Sequence, residues 1–308
     1  MKSTIEVKGV VKKFDDKVIV NGISLEIFKG ECFGILGPNG AGKSTTMKMM
    51  YCSSQVTEGE LYILGLNVKN NHKEIKSKIG IVPQDDGLEA DFSCYENLRI
   101  FSRYYGIDDV TADRRITELL QAFRLDEYRD RNVETLSGGM KRRLAIARGL
   151  IHRPEVLFLD EPTTGLDPQA RYWMWEYFKK LKEDLSTVVI TTHYMEEAEF
   201  LCDRLAIIDH GKILAVGTPM DLINVYIGKE VVEVEVSEND VNYYANRLKQ
   251  NQYRFQTLKN KISIYLQPDQ ESRKVLDIIN GDKIIIRKPT LNDVFLRISG
   301  HDLRDESL

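Results

Sequence analysis

The segment Gly37-Pro38-Asn39-Gly40-Ala41-Gly42-Lys43-Ser44 constrains the fold of this chain more than any other. It fits the pattern GxxxxGK[ST], directly after the apolar run Cys32–Leu36 and before a helix-compatible stretch that starts at Thr45. Glycine there lets successive backbone N–H groups close round an anion, and the start of a helix adds partial positive charge. Lys43 is then the candidate contact for a β- and γ-phosphate, and the Ser44 hydroxyl a candidate Mg²⁺ ligand. Given average glycine usage, the four fixed positions arise by chance in about one chain in a hundred of this length. Further signals must therefore agree with the loop.

They come from the pattern around it. Short apolar runs at Cys32–Leu36, 156–159 and 188–192 are bounded by Gly, Pro or charge and separated by helical stretches. This is the signature of a parallel sheet with helices on both faces. The amino-terminal segment also reads as strands, at Ile5 and Val7, 18–20 and 24–27, with Asn21-Gly22 as a turn signal. From about 92 to 150 the pattern turns helical, with Ile116, Leu119, Leu120 and Phe123 on one face. The expected fold is α/β with amino-terminal strands and a helical insertion, and the phosphate-type loop in this setting resembles a P-loop NTPase core of RecA-like type, which implies an antiparallel β subdomain and a helical subdomain.

Near Lys229 the sequence changes character. Val232, Val234 and Val236 alternate with Glu233, Glu235 and Ser237 as in a half-exposed strand. A helix from about Asp240, a hairpin of Arg254–Leu258 and Lys261–Leu266, a helix over 271–279, a strand Lys283–Arg287 and a helix over 291–298 complete a βαββαβ, ferredoxin-like order. The expected domains are 1–222 for nucleotide binding, 229–300 as a small α+β accessory or regulatory domain, and 301–308 as a tail. The second domain carries no paired carboxylates, His cluster or Gly-rich loop, which favours docking or regulation over chemistry.

The run Val156-Leu157-Phe158-Leu159 ends in Asp160-Glu161. Adjacent acids at the end of a buried strand are costly unless a cation or hydrogen bonds compensate, so a metal site is the economical reading, against a solvated pair. Asp160 would hold Mg²⁺ and Glu161 would polarise an attacking water. Position strengthens this. The glycine loop follows Leu36, Gln84 follows Ile79–Val82, the acids follow Leu159, and His193 follows 188–192. Ligands on open parallel sheets bind at the carboxyl ends of strands, so these groups can converge on one nucleotide.

On these residues the chain resembles an ABC-type nucleotide-binding subunit over about residues 4–222. Leu136-Ser137-Gly138-Gly139-Met140 is similar to the signature loop of that family, about 20 residues ahead of the acids, with Met140 where Gln is usual. The Met variant and the stretch Lys288-Pro289-Thr290-Leu291-Asn292-Asp293-Val294-Phe295 also resemble the branch that exports drugs, nodulation factors or polysaccharides. The resemblance implies an ATPase that uses ATP and Mg²⁺. Phe14 resembles the aromatic that stacks on adenine, and residues 37–45, including Thr45, resemble the phosphate cradle. Gln84 resembles the group that touches Mg²⁺ and the lytic water, and His193 the γ-phosphate contact. Ser137, Gly138, Gly139 and Asp167 resemble groups that complete the site of a second subunit. A homodimer acting on a separate transmembrane permease follows, with the substrate specified by the permease. Arg142, Arg143 and Arg148 read as surface or interface charges.

Composition limits the rivals. Net charge is −4 at 42% apolar residues, with no basic stripe, so no nucleic-acid partner is expected. Cys32, Cys52, Cys94 and Cys202 match no metal spacing and suit a reducing compartment. Residues 1–14 lack the apolar core of a signal peptide, and no stretch of about 18 apolar residues could span a bilayer. The expected location is the cytoplasm, at the inner face of the membrane through a partner. A soluble ABC ATPase that remodels a nucleic-acid or ribosomal partner is the alternative; such proteins resemble paired cassettes or carry long coiled coils, neither of which is seen here.

Overall fold

A computed structural model describes residues 3–184, 187–281 and 283–299. The chain divides into two compact units, 1–213 and 214–308. The expected tail at 301–308 lies outside the described residues.

The first unit opens with β1 (Ser3–Phe14) and β2 (Lys17–Phe28), paired antiparallel. The reversal falls at Asp15 and Asp16, not at Asn21-Gly22 as the dipeptide signal suggests. The Asn21 N–H donates to Gly211 O at 2.8 Å, so the dipeptide sits within a continuous strand whose register slips beside it. A tertiary hydrogen bond outcompetes the local turn preference.

The chain then forms β3 (Cys32–Leu36), α1 (Lys43–Met50), β4 (Glu58–Ile63), β5 (Leu66–Asn67), α2 (His72–Lys78) and β6 (Ile79–Val82). Strands β2-β1-β4-β5 make an antiparallel sheet. Helices α3 (Cys94–Tyr104), α4 (Asp109–Ala122) and α5 (Gly138–Leu150) follow, each opened by a side-chain cap from Ser93, Asp108 and Ser137 respectively. β7 (Val156–Asp160), α6 (Pro168–Asp184), β8 (Thr187–Thr192), α7 (Met195–Leu201) and β9 (Arg204–Asp209) complete the core. In β10 (Lys212–Gly217) the chain passes from the first unit to the second.

Strands β9-β3-β8-β7-β6 run parallel in that order. Every residue of β3, β7 and β8 is buried, which explains why they read as unbroken apolar runs instead of alternating ones. Ile5, Ile27, Phe33, Ile35, Met47, Phe158 and Val189 share one core beneath α1 and the antiparallel sheet. All five carboxyl ends open on one edge, so the loops after β3, β6, β7 and β8 are neighbours.

One contact sets the position of α5. A Cβ on Gly80 of β6 would collide with Gly149 O of α5, and one on Gly149 would stand 2.9 Å from Val82 Cγ2. The two glycines let the helix lie almost on the strand, which carries the amino-terminal half of α5 alongside the β6 and β7 ends.

The second unit contains α8 (Pro219–Tyr226), β11 (Glu230–Glu235), α9 (Val241–Gln250), β12 (Arg254–Leu258), β13 (Lys261–Leu266), α10 (Ser272–Leu276), β14 (Lys283–Arg287) and α11 (Leu291–Ser299). Its sheet is antiparallel, ordered β12-β13-β11-β14. Val232, Val234, Ile262 and Ile264 pack with Leu248 of α9 and Val275 of α10. The helix expected over 271–279 spans only Ser272–Leu276, and beyond it the turn tightens, with Ile278 N–H reaching Val275 O three residues back.

Candidate functional site

Between β3 and α1 the backbone turns through Gly37, Gly40 and Gly42. A side chain at Gly37 would collide with Ile208 O, and one at Gly42 (φ +100°) would stand 2.9 Å from Ile19 O. The loop is pressed against β9 and β2, which is why glycine is required there. Asn39 and Gly40 form the exposed apex, Pro38 is half-buried, and Ala41 packs inward. Thr45 is half-buried in the first turn of α1.

Lys43 is 5% exposed. Its Nζ donates to Gly37 O at 2.9 Å and Pro38 O at 3.0 Å and lies 3.7 Å from Glu161 Oε1. The ammonium thus spans the mouth of the loop, satisfied by carbonyls and by one buried carboxylate. Beside it, Ser44 Oγ donates to Asp160 Oδ1 at 2.9 Å, and Thr191 Oγ1 donates to the same oxygen. Asp160 is 2% exposed and sits at the end of β7. Hydroxyl and carboxylate oxygens gathered beside a phosphate-type loop are hard donors of the kind that suits Mg²⁺, which completes its shell with waters and phosphate oxygens.

Glu161 adopts φ +46°, a left-handed conformation rarely taken by a non-glycine residue. Several contacts hold it there. Its N–H bonds Thr191 O at 3.1 Å and Thr191 Oγ1 at 3.0 Å, and Thr164 Oγ1 donates to its Oε2 at 3.2 Å. His193 Nδ1 lies 3.4 Å from Oε2, an ion-pair distance without hydrogen-bond alignment. The neighbouring His193 holds the Glu161 carboxyl below the usual carboxylate range, with Lys43 and Thr164 adding to the effect and burial opposing it.

Five sequence-derived candidates therefore meet within one site: Lys43, Ser44, Asp160, Glu161 and His193. Gln84 is exposed on the loop after β6, and its backbone carbonyl accepts from Arg142 at 3.3 Å. Phe14 is 51% exposed at the end of β1, with Lys12 Nζ 4.6 Å from its ring centre. Ser137 and Gly138 are exposed at the start of α5, where the Ser137 hydroxyl accepts from Met140 N at 3.3 Å. Leu166 Cδ2 lies 3.6 Å from the Cβ position of Gly139, so this loop and the segment after Glu161 adjoin. Asp167 is exposed and caps α6 through Ala170 N at 2.9 Å.

The arginines correct the sequence reading. Arg142 and Arg148 are 4% and 5% exposed and bind backbone carbonyls, while Arg143 is half-buried and donates to Phe123 O at 3.0 Å. A surface reading fails because α5 is buried on nearly all sides. The available signal was Arg148 inside the apolar run 144–151. Sequence reasoning also passed over Thr191, Thr164 and Glu197. Glu197 Oε1 accepts from Thr163 Oγ1 at 2.7 Å and Trp175 Nε1 at 2.9 Å. It thereby fastens the segment after Glu161 to α6 and α7. Burial pushes its carboxyl pKa up, against those donors.

Comparison with known proteins bears on the family and the fold. The model of the family described as "ABC transporter" matches residues 20–164. A Nod factor export ATP-binding protein I of Cupriavidus pinatubonensis is 41% identical over 301 residues, spanning 98% of this chain and 92% of that protein. One of Rhizobium sp. strain N33 is 41% identical over 302 residues, spanning 98% and 99%. Among solved structures, cbiO1 from Clostridium perfringens, part of an ABC transporter complex, superposes with TM-score 0.66 at 25% identity, over 73% of this chain and 96% of that one. A dimeric ATP-binding cassette in a post-hydrolysis state with ADP and Pi superposes with TM-score 0.65 at 29% identity, over 70% and 98%. With relatives of this identity matched along nearly their whole length, the chain belongs to the ABC transporter family, as one of its ATP-binding subunits.

Proposed function

We propose that this chain is the ATPase of an exporter, hydrolysing MgATP between two copies and delivering the resulting motion to a separate transmembrane permease. The observation that carries the reading is the convergence of Lys43, Ser44, Asp160, Glu161 and His193 at the carboxyl ends of three adjacent parallel strands.

Lys43 neutralises the β- and γ-phosphates, and the backbone N–H groups of the loop 37–45, all but that of Pro38, which has none, cradle them. Ser44 and Asp160 would hold Mg²⁺, and Gln84 of the next loop would add a polar contact to it. The ion supplies charge neutralisation on the phosphate oxygens. Glu161 orients and polarises the attacking water, His193 contacts the γ-phosphate, and Phe14 stacks on the adenine. Hydrolysis is therefore a matter of positioning and electrostatics, with a carboxylate that its neighbours keep ionised.

Ser137, Gly138, Gly139 and Asp167 serve the nucleotide of the opposite subunit, so that ATP favours a closed homodimer and hydrolysis releases it. Residues 1–222 carry this chemistry, and 229–300 form an accessory domain. Among the described residues no helix is long and apolar enough to cross a membrane. Docking to a permease at the inner membrane face is the role that the similarity to ATP-binding subunits of transporters supports. Export as the direction follows the similarity to Nod factor export proteins.

The test is phosphate release by the purified chain at several concentrations, with Mg²⁺ and with EDTA. Specific activity should require the metal and fall on dilution. Glu161→Gln with MgATP should sediment as a dimer and without nucleotide as a monomer. Constant specific activity in samples shown to be monomeric would remove the shared site.

A further inference from the structure

Arg142 lies in α5, five residues beyond Ser137. Its guanidinium is nearly sealed from solvent at 4% exposure and has all its N–H groups engaged. Nε donates to Pro162 O at 2.8 Å. Nη1 donates to Pro83 O at 2.6 Å and approaches Gln84 O at 3.3 Å and Asp86 Oδ1 at 3.2 Å. Nη2 donates to Asp160 O at 2.9 Å and Glu161 O at 3.2 Å. Burial works against the charge, and Asp86 is the main group offsetting it. One side chain thus binds the loop after β6 and the loop after β7 to the helix that begins at Ser137.

We infer that Arg142 is a positioning residue, which makes the Gln84 loop, the Glu161 turn and the Ser137 helix move as one body and keeps Glu161 aimed at Lys43. The inference rests on the ATPase reading above. The acceptors explain the residue type. Five backbone carbonyls and one carboxylate lie on two separate loops, and a planar fork with five N–H donors can serve them together, whereas the three donors of a lysine radiate from one point. Glu161 explains the need. Its left-handed backbone (φ +46°) is not a conformation its own side chain favours, and the donation from Arg142 to Glu161 O helps to fix it. Arg148, further along α5, binds Asp86 O at 2.7 Å and also Gly87 O, so the loop after β6 is clamped to this helix at two points. A displacement of Gln84 accordingly reaches both the water-activating carboxylate and the helix start that presents Ser137.

The experiment uses the full chain with Arg142→Lys and Arg142→Gln. Nucleotide affinity by equilibrium dialysis should stay within about threefold of the parent, because Lys43 and its loop are untouched. kcat should fall about 10–100-fold with little change in KM, as expected of a sub-ångström to ångström misplacement of a reacting group. The split between kcat and KM separates positioning from simple stability, because a misplaced Glu161 lowers kcat in protein that still folds and still binds nucleotide. A parent-like kcat in either folded variant overturns the inference. So does a joint loss of nucleotide affinity, turnover and thermal stability, which marks a structural role alone. If Arg142→Lys does not fold, Arg142→Gln decides, since it keeps two donors without a buried charge; failure of both to fold overturns the inference. A parent chain that does not hydrolyse ATP refutes the ATPase reading itself, an outcome distinct from these.

Discussion

Replacing Glu161 by Gln separates the role of its charge from that of its shape. The amide is nearly isosteric, so Thr164 Oγ1, now 3.2 Å from Oε2, keeps an oxygen to donate to. The Glu161 N–H retains Thr191, and Glu161 O retains Arg142. What disappears is the negative charge 3.7 Å from Lys43 and 3.4 Å from His193, together with its basicity. A positioned base contributes about 10²–10⁴ in rate, or roughly 3–5 kcal/mol of barrier, so kcat should drop at least about 100-fold. Lys43 still has its two carbonyl partners, and ATP affinity should move by less than about threefold, or ~0.7 kcal/mol. The sign of the pH dependence follows from the depressed carboxyl. Chiefly because of His193, then Lys43 and Thr164, the group stays ionised below the ordinary carboxylate range. The limb of turnover set by Glu161 therefore lies below that range, and the stability it contributes is present above the ordinary carboxylate pKa and lost as pH falls through the depressed folded value. Single-turnover phosphate release at saturating MgATP, with equilibrium dialysis and circular dichroism on the same samples, gives the answer. Turnover within about tenfold of the parent, in folded protein that binds ATP, would refute the assignment of Glu161 as the base.

Lys43→Ala removes a charge-assisted contact to phosphate and should weaken ATP binding by about 10–100-fold while abolishing turnover; an unchanged Kd removes the lysine from the site. Asp160→Asn should shift the Mg²⁺ dependence of activity to higher concentration by about tenfold or more, since Asp160 Oδ1 is the acceptor shared by Ser44 and Thr191, and an unshifted titration contradicts a metal role. Gly80→Ala drives a methyl group into Gly149 O and should destabilise the chain by about 1–3 kcal/mol in urea unfolding; an unmoved midpoint would mean that α5 does not lie as close to β6 as described. Ending the chain at Gly228 should leave ATP affinity within about twofold, and loss of binding by a folded product would show that residues beyond 228 take part in the site.

Much of the fold was legible because buried parallel strands leave a one-dimensional trace. Strands β3, β7 and β8 are buried along their whole length, so each appears as a short unbroken apolar run, and the chemical residues fall at their ends. Likewise the glycine loop and the acids at 160 and 161 stand out in the local sequence, whereas His193 is singled out only by its place among the strand-end groups. In each, the special residue type occurs within a few positions of the strand it follows. The alternating pattern of Val232, Val234 and Val236 similarly marked a strand with one face on a core.

Other features belong to the tertiary structure alone. Asn21-Gly22 has the composition of a turn, yet lies within β2 because its N–H finds Gly211 O, nearly two hundred residues away in sequence. Arg142 and Arg148 have the composition of a surface, and only the packing of α5 through Gly80 and Gly149 places them among the carbonyls of two loops. Whether an arginine is solvated or bound to backbone depends on the elements that surround it, and hydrophobic periodicity records only which face of a helix is apolar. Local composition revealed the fully buried strands at Cys32–Leu36, 156–159 and 188–192 and the chemical groups that follow them, while β4, β5 and β10 left no such trace. The folded structure decided which loops share one side chain, because those contacts join residues whose separation leaves no local pattern.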